Sequence, residues 1–411
     1  MGRAALGLLA VTAAVLGAVA ARTHTHKSVP TDEPRTLVAS FAARSYRSGG
    51  TATVVVRTRV RGFSVQLFHC GPQRQAPLRN DVMLGVPVTR PRAVEWRSPS
   101  ATLAVRLGLG AWPSGLYFAR LTAPGGRLGF APFVLRPHVL GRVRVAVVLP
   151  TNTWEAYNLR GGATWYFDPH VHAVDLARPY LDRGVPPHFR GYDDGFLRWF
   201  AHTRRNADFL SDDDLDSIPS GDRLARLYDL VVFSGHEEYV TPHVYDVVRR
   251  YRDLGGNLAF LSSNNFFYRV TRHGSTIHGR TRWRDIGRPE ARLIGIEYVD
   301  WNHDRYPNKP YVVRGARAAP WFFRGSGLRD GDRFGRYGIE VDARTPDSPS
   351  GVKVLATIPN IFGRGVTAEM TYYARRGAKV FAAGVTNFGG SASFPVPSRL
   401  LANLWTRLAR P

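Results

Sequence analysis

Residues 228–251, YDLVVFSGHEEYVTPHVYDVVRRY, constrain this chain more than any other stretch. Asp229 to Phe233 is a short, β-branched apolar run that stops at Ser234-Gly235, the pattern of a parallel strand buried on both faces where it reaches the edge of its sheet. His236, Glu237, Glu238 and Tyr239 follow at once. Thr241 then offers an N-cap oxygen, Pro242 suits the first helical position, and Val244, Val247, Val248, Tyr251 and Leu254 recur on one helical face. Strand, polar loop and helix in that order imply an open α/β sheet, whose strand-end corners face a ligand crevice.

The rest of the chain divides around this unit. Its 411 residues suffice for two cores, and a hydrophobic share of 44% belongs to a globular protein. Residues 35–139 read as short alternating strands (TATVVVRTRV, FSVQLFHC, ATLAVRLG, GLYFARLTA, FAPFVLRP) with Pro124-Gly125-Gly126 as a turn, which predicts an immunoglobulin-like β-sandwich. Residues 140–411 predict an α/β domain on a mainly parallel sheet. Its strands are expected at 144–150, 207–211, 229–233, 257–263, 353–358 and 378–384, and its helices at 195–203, 241–254, 289–296 and 398–408. The region near 265–350, rich in Arg, Gly, Asn and Pro, reads as a long insertion over the crevice.

Residues 1–21 carry Arg3 and then an apolar run ending Ala18-Val19-Ala20, which predicts a signal peptide or an uncleaved membrane anchor, followed by a polar linker over 22–34. The body of the protein is therefore expected to be secreted or held on the outer face of the cytoplasmic membrane, touching the membrane only through this segment. The net charge of +24 is almost wholly arginine, since lysine occurs only at 27, 309, 353 and 379. It is spread along the chain without a dense stripe, so no nucleic-acid partner is expected. A homo-oligomer is left open. Cys70 is the single cysteine, which excludes an internal disulfide and a thiolate metal site and makes it a core residue.

Three polar clusters sit at expected strand ends: TNTWEAYN (151–158), GHEEY (235–239) and SSNNFF (262–267). Taken singly, each residue has a plain structural reading: Glu238 caps a helix, Tyr157 is a core aromatic, Asn264 holds a turn, and His236 says no more. Asp212, Asp213, Asp214 and Asp216 read either as metal carboxylates or as a solvated helix start, with the helix start favoured. The arginines of GRTRWRDIGRPE (279–290) line an anion site or face solvent.

GLYFARLTA, LPTNTWEAYN, LSDDDLD, YDLVVFSGHEEYVT and GGNLAFLSSNNFFYRV together resemble the large (beta) subunit of N,N-dimethylformamidase and its relatives, over roughly residues 40 to 390. The 235–239 elbow is also similar to that of class I glutamine amidotransferase-like domains, where a nucleophilic cysteine stands; His236-Glu237-Glu238 occupy its place here, so thiol chemistry is excluded. The dimethylformamidase resemblance implies one mononuclear ferric ion, Fe(III), held by Tyr117, Tyr157 and Glu238. It implies His236 as general base or supporting donor and Asn264 as the carbonyl-orienting or oxyanion group, and suggests Glu369 as a second carboxylate. The implied activity is hydrolysis of a small or cell-envelope amide, with a catalytically inactive surface protein that binds glycans or peptides as the alternative.

Overall fold

The computed structural model describes residues 29–33, 35–95, 102–168 and 170–409. The expected export segment lies outside them, as do residues 22–28 and 34 of the expected linker. Among the described residues no helix is long and apolar enough to cross a membrane.

Two sheets face each other in the N-terminal part. Val38–Phe41, Thr51–Arg57 and Thr102–Gly108 form one. The other runs Ser45–Arg47, Arg127–Arg136, Gly115–Ala123, Gly62–His69 and Val86–Pro87, with Arg92–Glu95 also on Gly62–His69. Alternation drives the layering: Val54, Val56, Val105 and Leu107 meet Phe63, Val65, Leu121 and Phe133 in an interior that excludes water. Each fully buried side chain of this size contributes about 1.5–3 kcal/mol. The opposite face of the larger sheet, with Leu116, Phe118, Phe130 and Val134, joins the core of the second unit beside Val147, Leu149 and Phe209.

The second unit is built on a nine-stranded sheet. Asp208–Ser211, Val145–Leu149, Leu230–Phe233, Asn257–Phe260 and Ala378–Ala382 lie side by side in that order and are parallel. Ala368–Arg375, Lys353–Ile358, Lys309–Val313 and Arg333–Tyr337 continue it antiparallel. The fold is thus α/β with a mixed sheet, parallel through one half only; the expectation of a mainly parallel sheet missed the other half because two of its strands arise inside 265–350. Those strands, KPYVV and RFGRY, bury only two residues each and lack the long apolar run that marks a doubly covered strand.

Local signals explain the helices. Thr241 Oγ1 accepts the Val244 N–H at 3.2 Å, Pro242 opens the helix Pro242–Asp253, and Val244, Val247, Val248 and Tyr251 are buried beneath it. Leu254, expected on the same face, is exposed because the helix has ended, with Gly255 at φ +98° turning the chain out. Helices at Asp194–His202 and Pro395–Leu408 match expectation, while 289–296 shortens to Ala291–Ile294.

The rest of 265–350 builds two small ladders. Tyr268–His273 pairs with Thr276–Arg282 and, in parallel, with Tyr239–Val240. Glu297–Trp301 pairs with Glu340–Ala343.

Candidate active site

Neighbouring parallel strands Val145–Leu149 and Leu230–Phe233 send their chains away in opposite directions, the first toward Asp208–Ser211 and the second toward Asn257–Phe260. A crevice opens at the carboxyl ends of strands where the order reverses in this way. After the first strand, Pro150 leads into the helix Thr151–Ala156 and Tyr157. After the second come Ser234, Gly235 and the elbow. A Cβ on Gly235 would run into Asp193 and stand 2.9 Å from Pro150 Cγ, so only glycine lets the two loops approach this closely.

The elbow is buried and pinned through its backbone. Glu238 N–H donates to Thr153 Oγ1 at 3.0 Å and Glu237 N–H to Asn265 Oδ1 at 3.1 Å, while the Glu238 carbonyl accepts from Tyr268 N–H at 2.9 Å. His236, Glu237 and Glu238 are each under 5% exposed. Glu237 turns toward Asp212, and Glu238 turns into a nest of phenols.

Tyr166 Oη lies 3.3 and 3.2 Å from the two Glu238 oxygens and shares a hydrogen bond with Tyr239 Oη. Tyr157 stacks on Tyr166 with ring centroids 4.4 Å apart, and its hydroxyl faces Glu238 and, at 3.5 Å, Glu340 Oε1. His236 Nε2 stands 3.5 Å from Glu238 Oε2 and 3.2 Å from Glu340 Oε2. Asn264 Nδ2 donates to Glu340 Oε2 at 3.1 Å and its N–H to Asp342 Oδ1 at 2.8 Å. Asn264 holds φ +54°, and Ile339, just before Glu340, holds φ +74°. A β-branched residue there is strained, and such strain persists where surrounding contacts over-determine it. His188 and Tyr192 close the rim, their rings 5.9 Å from Tyr157 and 6.5 Å from His236 respectively.

Two carboxylates and a histidine gather here with no arginine or lysine against them among the described residues. Burial, and then the charge of Glu340, push Glu238 well above the usual carboxylate range, although Tyr157, Tyr166 and Tyr239 hydrogen-bond to it. Burial raises Glu340 to about 7. It lowers His236 to about 3, so the imidazole is neutral and its carboxylate contacts are not ion pairs. The three phenols are driven up by burial and by Glu238, and stay protonated unless something positive joins them. His236 Nε2 and Asn264 Oδ1 are buried without a hydrogen-bond partner. Among the described residues no three His, Cys, Asp or Glu side chains could hold a metal by themselves, so an ion here would lean on phenol oxygens. As a donor set, phenols and a carboxylate with uncompensated negative character fit a hard, highly charged cation.

The structure thus brings Tyr157, Glu238, His236 and Asn264 together. Tyr117 is not among them: its ring points into the sandwich, stacked on His69 at 4.4 Å, and its hydroxyl donates to the Pro113 carbonyl at 2.8 Å. Leu116 and Phe118, one residue to either side, face the second unit, so strand alternation turns Tyr117 the wrong way. Glu369 is also apart, in a salt bridge with Arg344 at 2.8 Å near the surface. Glu340 takes the position expected of a second carboxylate, and Tyr166 and Tyr239 add phenols that sequence reasoning passed over. Tyr239 stood inside the GHEEY motif, whereas Tyr166 and Glu340 carried no local signal. The aspartates at 212–216 do begin a helix, with Ser211 and Asp214 forming a capping box, but it is no solvated start: Asp212 is buried, accepting from Thr151 Oγ1 and Asn152 N–H. The arginines of 279–290 are mostly tied individually, Arg282 to Asp285, Arg284 to Glu290 and Arg288 to Asp246.

Likeness to solved structures is slight. The N-terminal domain of mmIFT52 shares 13% identity over 51% of this chain and 88% of that one, with a TM-score of 0.33. An uncharacterized protein from Bacillus anthracis strain Ames (14% identity; 23% and 78% covered; TM-score 0.18) and a superoxide reductase (neelaredoxin) from Ignicoccus hospitalis (14%; 25% and 82%; 0.17) match over less of this chain. No curated protein matches. The model of one family, "N,N-dimethylformamidase beta subunit-like, C-terminal", matches residues 87–398. That span holds the strand-end loops, the phenol nest and both glutamates, and the chain belongs to the N,N-dimethylformamidase beta subunit-like family.

Proposed function

We propose that this chain is an exported hydrolase that cleaves the C–N bond of a small or envelope-derived amide at the cluster around Glu238. The observation that carries the reading is the convergence of Tyr157 and Tyr166 on a buried, uncompensated Glu238, facing His236, Glu340 and Asn264. Tyr157, Glu238 and, in place of Tyr117, Tyr166 would hold Fe(III), with Tyr239 supporting Tyr166. When bound, ferric iron would act as a Lewis acid on the amide carbonyl or on water. The α/β unit is read as glutamine amidotransferase-like because its parallel strands, numbered along the chain, lie in the flavodoxin-like order 2-1-3-4-5. The two facing sheets are read as immunoglobulin-like.

Glu340 is the group suited to proton transfer. Its carboxyl reaches His236 Nε2, Tyr157 and Asn264, and burial places its titration near neutral pH, where a general base works best. His236, held neutral, stands 3.2 Å from Glu340 Oε2 and leaves the proton to the carboxyl. Asn264 has one amide hydrogen committed to Glu340, which leaves its unpartnered Oδ1 as a buried acceptor for an N–H or a water.

The test is metal analysis with visible spectroscopy, then amide hydrolysis assays on wild type and Glu340→Gln. Iron, a tyrosinate-to-iron band, and turnover that falls on the order of 100-fold in the variant are expected. An iron-free, colourless and inactive preparation from iron-replete cells would sink the proposal. It would favour the alternative, an inactive surface protein binding glycans or peptides, to which the burial of Tyr117 in the sandwich lends its one support.

A further inference from the structure

At the opposite ends of the parallel strands, where Arg142 precedes Val145–Leu149 and Asn206 precedes Asp208–Ser211, an open cavity of about 680 Å³ lies between the sandwich and the α/β unit. No residue of the Glu238 cluster lines it. Trp112, Leu116, Leu197 and Phe200 give it apolar walls. Arg142, Arg204 and Arg205 also line it, and among the described residues none of the three has a carboxylate partner. Arg205 lies over the Trp199 ring at 4.8 Å and the Trp405 ring at 5.9 Å, and among the described residues its side chain makes one hydrogen bond, a long 3.4 Å contact to the Thr203 carbonyl. Arg204 is held at φ +52°. The single carboxylate of the lining, Asp208, is already engaged, accepting from Gly141 N–H at 2.8 Å and Tyr228 Oη at 2.9 Å. His69, stacked on Tyr117 and kept neutral by burial, adds an uncharged ring nitrogen.

Three guanidinium groups line one chamber whose single carboxylate is already engaged, which gives it a net positive charge suited to an anion. A carboxylate would leave much of that charge unanswered, whereas a phosphate dianion offers three oxygens in the geometry arginine matches. The apolar walls call for a body that is not itself charged, and the volume is that of small-molecule sites. We propose that this cavity binds a small phosphate monoester carried on a planar apolar body, independently of the amide site.

The experiment titrates the purified protein at low salt with phenyl phosphate, with inorganic phosphate and phenol as separate arms. Calorimetry and tryptophan fluorescence would follow binding, since Trp112 lines the cavity. Saturable one-site binding of phenyl phosphate is expected, with both partial probes weaker by about tenfold or more. R142E and R204E, both at exposed positions, should each weaken phenyl phosphate by about tenfold or more. R61E, an exposed control elsewhere, should leave it unchanged. Absence of saturation, equal affinity for inorganic phosphate, or wild-type affinity in R142E and R204E would overturn the proposal.

Discussion

Arg44 ties the sandwich to the site, and its removal should be felt in both stability and geometry. From the turn between Val38–Phe41 and Ser45–Arg47 its side chain enters the α/β unit. Nε donates to Asp213 Oδ2 at 3.0 Å, Nη2 to Asp213 Oδ1, and Nη1 to Asn152 Oδ1 at 2.8 Å. Asn152 in turn donates its Nδ2 to the Tyr239 carbonyl at 3.1 Å and its N–H to Asp212. Arg44→Met keeps the apolar stem and deletes the fork. Breaking a buried pair costs about 3–5 kcal/mol, but Asp213 is 29% exposed and retains Arg272, so about 2–3 kcal/mol is expected. A double-mutant cycle with Asp213→Asn, read by urea unfolding, should give a coupling of about 1.5–2.5 kcal/mol at pH 7. The pH dependence has a fixed sign. Burial alone would raise Asp213, yet Arg44 and Arg272 outweigh it and hold it below the ordinary value. A depressed carboxyl contributes stability that is fully present above its unfolded pKa, about 4, and is lost as pH falls through the lower folded value. A coupling indistinguishable from zero at pH 7, or larger at pH 4 than at pH 7, would refute the reasoning.

Three further outcomes are expected. Tyr166→Phe should lower iron content and shift or abolish the visible band, whereas Tyr117→Phe should leave the band alone and cost about 1 kcal/mol for its hydrogen bond to Pro113; loss of the band in Tyr117→Phe would return the sandwich tyrosine to the site. Gly235→Ala should destabilise the fold by about 1–3 kcal/mol and depress turnover, because the new methyl meets Asp193 and Pro150, and an unchanged melting temperature and rate would remove the close-approach account. Cys70 is buried, and burial with the neighbouring charge of Asp194 pushes its thiol well up, so it should resist thiol reagents until the protein unfolds. Prompt labelling of the native protein would contradict that burial.

Much of the central unit was legible in the chain because its signals are local. An apolar β-branched run, a threonine cap, a proline at the first helical position and a glycine at the end describe Leu230 to Gly255 without help from distant residues. Tyr157, His236, Glu238 and Asn264 could be grouped because parallel strands release their loops on one side. Facing was not legible for Tyr117, since a strand buried on both sides gives no apolar alternation to show which way a residue points. Glu340 was hidden for a different reason: it belongs to a short ladder in an arginine-rich stretch, and reaches the crevice through a strained turn at Ile339 whose cost only the assembled loop explains. Tyr166 lies in an irregular segment without periodicity, so nothing before the fold marked it.

The ladder of Glu297–Trp301 and Glu340–Ala343 is separate from the nine-stranded sheet, yet Glu340 is clamped to the loops that leave the parallel strands: its N–H donates to Thr386 Oγ1 at 3.0 Å and its carbonyl accepts from Ser263 Oγ at 2.9 Å. Glu238, Tyr157 and Asn264 hang directly from the ends of packed parallel strands, where a shift of one residue would disturb a whole core. Glu340 hangs from an arm whose excursion, residues 302–339, runs out through the antiparallel strands and back. The clamp lies at the end of that excursion, so the bonds to Thr386, Ser263 and Asn264, and not the length of the intervening chain, set where the carboxylate stands relative to the phenols and Glu238.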